Sequence, residues 1–274
     1  MSNFIWLGMP GAVMKSLVRW GTTLGLAGSA IMGSSILDST QVLALPQEQI
    51  VQKLGPVPVF TITDNKGAPL VASVPNRQNQ GGVAGVFISQ RDAQAFVNQI
   101  KAKDPKLAQT VRVVPVSLGE VYKLDQANQN KPNSLDFEYV PTKQQVDAAL
   151  TLLRQSNQKV NQFNGTPLFV AKAGKEKGYL TIKQANQQVI PFFFNKEELQ
   201  NMLNRFKQQQ PNLAPSIEIN VVPLEGMLQT LKTRNDDALK QVMLIPPQES
   251  IEFVRSLKPA GTQNQRPANP SNKR

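Results

Sequence analysis

Ser156-Asn157-Gln158-Lys159 spells S-x-x-K, the spacing that puts a hydroxyl nucleophile and an amine base on one helical face in penicillin-recognising enzymes. No S-D-N or K-T-G segment follows it, and a pattern with two fixed positions in four recurs by chance. Glu197-Glu198 and Asp236-Asp237 are the paired acids from which a histidine-free hydrolase would be built, with two carboxyls roughly 5–10 Å apart across a cleft. Adjacent residues point apart on a helix, however, and acids suit a first turn, where they meet the positive end of the dipole. Gly81-Gly82-Val83-Ala84-Gly85 has the glycines of a phosphate loop at the wrong spacing, and it precedes a strand instead of opening a helix. Asn164-Gly165-Thr166 is a formal glycosylation triplet, but Asn-Gly before a strand reads more simply as a turn.

The composition narrows the chemistry further. Cysteine is absent, which removes disulfides, thiolate catalysis and thiolate-bound zinc. Histidine is also absent, so the commonest general base and metal ligand is missing. No metal cluster, cofactor site or active site emerges, and the expectation is a protein that is not an enzyme. The formal charge of +11 invites nucleic acid or anionic lipid, but the Lys and Arg residues form no run of five. Three Tyr and two Trp, Trp6 and Trp20, make a poor platform for stacking bases. No nucleic-acid partner is expected. Peripheral contact with an anionic envelope stays open.

The elements that would position any site are written twice. DPKLAQTVRVVPVSLGEVY (104–122) and QPNLAPSIEINVVPLEGML (210–228) stand 106 residues apart. The same spacing carries Phe87 to Phe193, Ser89 to Asn195, Asp92 to Glu198, Val97 to Leu203 and Pro105 to Pro211. Ser89 and Asn195 are N-cap types, and an acid three residues on can close a capping box. Helices are therefore predicted over 90–103 and 196–209, with apolar stripes Ala93, Phe96, Val97, Ile100 and Leu199, Met202, Leu203, Phe206. Strands are expected at 58–63, 83–88 and 110–116, and again at 167–172, 189–194 and 216–224. Short helices follow near 117–124 and 225–232. FEYVPTKQQVDAALTLL (137–153) and VMLIPPQESIEFVRSL (242–257) each read as a strand, a proline and a helix. LPQEQIVQKL (45–54) leads the first half, and the helix near 142–158 bridges into the second. The fold class is α+β: two tandem repeats of about 105 residues, 45–157 and 158–257, each a small mixed or antiparallel sheet packed with helices.

The ends differ from this body. Lys15 and Arg19 precede the uncharged apolar run Trp20–Leu37, and Val42-Leu43-Ala44 offers small and aliphatic residues to a signal peptidase. That order predicts an export signal over 1–44, cleaved after Ala44, with an uncleaved anchor as the competing reading. Residues 258–274 are rich in Pro, Asn and charge and read as a disordered tail.

What remains is apolar surface. Phe192, Phe193 and Phe194 are consecutive and must face both sides of a sheet. If both faces are covered they are core. If one is open, Phe192, Phe194, Met227, Leu228 and Leu231 line a groove for an extended apolar client, with Val86, Ile88, Val121, Tyr122 and Leu124 as its first-half counterpart.

PVPVFTIT, GVFISQRDAQAFVNQIK, RVVPVSLGEVYKL, TPLFVAK, NKEELQNML and NVVPLEGMLQTL together resemble the Tic22 family, the soluble intermembrane-space component of the chloroplast import machinery and its cyanobacterial relatives. The resemblance covers residues 45–258. It implies two lobes with pseudo-twofold symmetry, apolar pockets, no cofactor and no catalytic motif. It further implies a chaperone for unfolded outer-membrane or translocating proteins, working beside an assembly pore of the Omp-eighty-five type and supporting outer-envelope biogenesis. With a bacterial type of signal, the expected location is the periplasm, with the thylakoid lumen or a plastid intermembrane space as variants. The alternative is an adaptor that docks by its basic surface on acidic partners or the envelope.

Overall fold

The computed structural model describes residues 44–72, 82–129, 131, 134–174, 176–184 and 187–257. The expected export signal, apart from the exposed Ala44, and the tail 258–274 lie outside the described residues. Helix α1 (Gln47–Leu54) buries Ile50 and Leu54, one turn apart on one face. Strand β1 (Pro58–Asp64) then forms the middle of the first sheet. β2 (Val71–Ala72) and β3 (Val83–Phe87) follow, then α2 (Gln90–Lys103), the single turn α3 (Pro105–Ala108) and β4 (Val111–Ser117). α4 (Leu118–Asn128), β5 (Asp136–Val140) and α5 (Lys143–Gln155) complete the first half.

The second half runs β6 (Pro167–Ala173), β7 (Gly178–Tyr179), β8 (Ile182–Gln184), β9 (Gln187–Phe193) and α6 (Lys196–Gln209). A 3₁₀ turn at 214–216, β10 (Glu218–Pro223), α7 (Leu224–Thr233), α8 (Asp237–Gln241), β11 (Val242–Ile245) and α9 (Gln248–Leu257) follow.

Both sheets use one strand order. In the first, β1 lies antiparallel between β3 and β4, and β5 runs parallel beside β3. In the second, β6 lies antiparallel between β9 and β10, and β11 runs parallel beside β9. The registers correspond as well: Phe60 stands opposite Phe87, and Phe169 opposite Phe193.

Three apolar clusters hold these layers. The largest joins the halves, bringing Val59, Val86, Ile88, Leu118, Val121 and Tyr122 against Leu168, Val170, Phe192, Phe194, Leu224 and Leu231. The other two lie on the outer faces of the sheets, and each takes a helix from the opposite half. α5 carries Ala148, Ala149 and Leu152 onto Phe169 and Phe193 of the second sheet, beside Leu199 of α6. α9 returns the exchange, setting Phe253 against Phe60 and Phe87 of the first. The rings of Phe60 and Phe253 meet edge to face with centroids 5.6 Å apart, a favoured aromatic geometry. The bridging helix expected near 142–158 is thus α5; the helix expected within 242–257 is α9, and its return to the first sheet goes beyond the sequence reading.

Candidate binding surfaces

The residues expected to form two open grooves are turned toward one another. Val86, Ile88, Val121, Tyr122, Phe192, Phe194, Met227, Leu228 and Leu231 are all buried in the shared cluster. Leu124 alone stands free, 51% exposed. The cause is the parity of the strands: Phe192 and Phe194 point one way and Phe193 the other, and both faces are covered. The two halves bury their apolar faces against each other, so neither keeps an open groove there.

The structure also disperses the candidate chemistry. Ser156 ends α5 with its hydroxyl donating to the Leu152 carbonyl at 3.1 Å, and the backbone turns left-handed at Asn157 (φ 58°) before Lys159. The S-x-x-K pair therefore never shares a helical face. Asp236 pairs with Arg234 and Asp237 with Lys240, both at 2.8 Å. Asn164-Gly165 forms a turn, with Gly165 at φ +93° and Thr166 leading into β6. Among the described residues no group of three or more acids, His or Cys is placed to hold a metal, and no helix is long and apolar enough to cross a membrane.

Glu197 and Glu198 have a structural use. The starts of α2, α5, α6 and α9 converge on a polar cleft of about 380 Å³ between the halves. Glu198 accepts the Gln248 N–H at 2.9 Å, and the Gln145 side chain accepts the Lys196 N–H at 2.9 Å. The starts of α6 and α9 are thus each given an acceptor by another helix, while α5 is capped by its own Thr142, which accepts the Gln145 N–H at 3.3 Å. Burial opposes ionisation of Glu197, but bonds from Gln145 and Gln144 outweigh it and hold its carboxyl below the usual range. At Glu198 burial prevails and, with neighbouring acids, raises the carboxyl. The expected capping boxes form only in part: Asn195 accepts the Glu198 N–H at 3.2 Å, but Ser89 donates its hydroxyl to Glu249 instead. Glu249 also pairs with Arg91 at 2.9 Å, so that helix start is tied to the other half.

An apolar cavity of about 130 Å³ lies on the outer face of the first sheet, beneath α2. Ile62, Leu70, Val71, Val83, Phe87 and Leu107 line it, and Gly85 leaves part of the wall without a side chain. Val71 at its rim is 46% exposed, a large apolar side chain left in water. The sequence reading missed this cavity. Its one local signal was a glycine within a strand, which marks close backbone approach or open space.

Two mixed sheets packed on a shared core, with helices exchanged between them, an apolar cavity and a polar cleft, define an α+β protein without a recognisable catalytic constellation among the described residues. The chain belongs to the Tic22-like family, which it matches over residues 7–256. A solved structure of Tic22 from Anabaena, described as a protein-transport protein, is 39% identical, with a TM-score of 0.69, over 78% of this chain and 98% of that one. Among curated relatives, the chloroplastic TIC 22 of Pisum sativum is 24% identical over 84% of each chain. The chloroplastic TIC 22-like protein of Arabidopsis thaliana is 26% identical, over 74% of this chain and 62% of that protein.

Proposed function

We propose that this chain is a non-enzymatic chaperone and protein-translocation factor of the periplasm, holding apolar segments of unfolded outer-membrane or translocating proteins. The observation that carries the reading is the apolar cavity beneath α2, with Val71 exposed at its rim. A site without charge, next to a large exposed aliphatic side chain, suits sequence-tolerant capture of apolar residues. The protein-transport description of the Anabaena relative supports it, as do the chloroplastic names of the plant relatives. In this proposal the client sits at the cavity, and the ten residues first expected to line grooves serve as inter-lobe core, with Leu124 at its margin. An assembly pore in the outer membrane is the proposed partner that receives the client. The shared strand order and the matched Phe60–Phe87 and Phe169–Phe193 pairs support descent from one duplicated unit with pseudo-twofold symmetry.

Suppression of aggregation tests the reading, with several unfolded outer-membrane proteins as clients and Val71→Glu and Leu107→Glu as variants. Wild type should suppress at low and high salt, since apolar contact is not screened, and each variant should lose at least half the effect with its melting temperature kept. Suppression that vanishes at high salt would favour docking by the +11 charge instead. No suppression with any client would end the proposal.

A further inference from the structure

β4 and β10 are the outer strands of their sheets: among the described residues β4 pairs only with β1, and β10 only with β6. The direction of each backbone group on these edges follows from the pairing. Pro223 stands opposite Pro167, and neither has an N–H, so this pair cannot exchange hydrogen bonds. The Leu224 N–H reaches the Thr166 carbonyl at 2.7 Å, which fixes the same alternation from the other side. Glu218, Asn220 and Val222 therefore bond to β6, while Ile219 and Val221 turn their N–H and C=O groups away from the sheet. No hydrogen bond from a described residue reaches those outward groups.

The side chains of β10 are covered even so. Ile219 and Val221 pack into the second outer cluster beside Leu152, and Val222 packs against the shared core. The strand nevertheless stays half-buried from Ile219 to Pro223, with Glu218 exposed, so its exposure lies along the edge.

β4 has the same geometry, but its outward proline lies inside the strand, whereas the outward Pro223 of β10 ends it. The Leu118 N–H bonds the Val57 carbonyl at 2.8 Å, so Val111, Val113 and Pro115 turn outward. Pro115 stands opposite Phe60, the register place that Val221 holds opposite Phe169. A proline there supplies no donor and sets a ring where a new strand would approach, a common guard on sheet edges.

From this we infer that β10 is a strand-addition site, which takes an extended polypeptide segment with alternating apolar and polar residues by main-chain pairing at Ile219 and Val221. The inference rests on the reading above that the chain binds unfolded protein, and it adds a mode of capture distinct from the cavity. Main-chain groups give such pairing its affinity independently of client sequence. The preference for alternation follows from the cross-strand neighbours: Ile219 and Val221 lie on one face, Glu218 and Asn220 on the other.

Amide exchange by NMR on the whole chain tests this, with a Lys-flanked peptide of alternating Val and Thr and its fully N-methylated counterpart as probes. The peptide should slow exchange of the Ile219 and Val221 amides at least tenfold, leave Glu218, Asn220 and Val222 unchanged, and lose its effect on N-methylation. Val221→Pro should weaken peptide binding at least tenfold, and Pro115→Val should give protection at Val113. Peptide binding with changes confined to the residues around Val71 and Leu107 would overturn strand addition and leave the chaperone reading standing. Binding that is indifferent to N-methylation would do the same. Slow exchange at Ile219 and Val221 in a free protein that sediments as a dimer would overturn it in favour of edge pairing between copies. Failure to bind both peptide and unfolded protein would remove the two readings together.

Discussion

Phe253→Ala tests whether the exchanged helices bind the halves into one cooperative unit. Removing a buried phenylalanine ring costs about 3–5 kcal/mol. Phe253 keeps part of its surface in solvent, which reduces the expected loss to about 2–3 kcal/mol, including about 0.5–1.5 kcal/mol from its edge contact with Phe60. For a fold of this size that lowers the melting temperature by about 5–10 °C. Hydrogen exchange read by mass spectrometry distinguishes where the loss is felt. Since Phe253 belongs to the second half and packs on the first, protection should fall by a similar free energy in β1 and in β6, 109 residues apart by position. A loss restricted to α9, with both sheets unchanged, would show that the helix lies on the first sheet without completing it, and would refute the argument.

Two further predictions concern the turn before β6. Glu225 accepts the Thr166 N–H with both carboxylate oxygens at 3.0 Å; burial, its largest influence, raises its pKa above 4.5, the Thr166 bonds oppose this, and Glu138 adds to it. The folded chain therefore holds this proton to higher pH than the unfolded chain, so the group's contribution to stability falls as pH climbs from 4.5 through the folded value. Glu225→Gln keeps an acceptor for Thr166 and should gain stability relative to wild type over that window; parallel curves in urea titrations at several pH values would contradict this. Gly165→Ala should cost about 1–3 kcal/mol, because φ is +93° and a Cβ would stand 2.2 Å from a Glu225 carboxylate oxygen. Thermal melts of the variant against wild type would measure it.

Local structure was legible wherever short-range chemistry decides it. The bounds 90–103 and 196–209 coincide with α2 and α6, because a cap, an apolar stripe and a following proline all point the same way. The strands came within a residue or two for the same reason. α3 is absent from the sequence reading, although Asp104 accepts the Leu107 N–H at 3.0 Å and Pro105 opens the turn, a signature that the sequence carries openly. The rest depended on distance in space. The stripe on 248–257 announces that a helix must bury one face, but not which sheet receives it. Phe192 and Phe194 announce apolar contact, but whether solvent, a client or the other half meets them is settled by how the lobes pack. Ser89 looked like a cap from its neighbours alone, and its partner Glu249 lies 160 residues away.

The helix exchange also sets an order in time. A chain emerging from its N-terminus makes α5 before the sheet that α5 covers, so the second lobe can close as soon as β11 forms. The first sheet is completed in its strands by Val140, yet it waits more than 100 residues for Phe253. Until then α2 covers Phe60 and Phe87 only in part, through Ala93, Phe96 and Val97, the kind of interval in which long-range topologies aggregate. A chain cut after Ile245 would hold every described strand and remain in that state, binding more hydrophobic dye than the full chain does. The last helix to appear is the one that seals the first sheet.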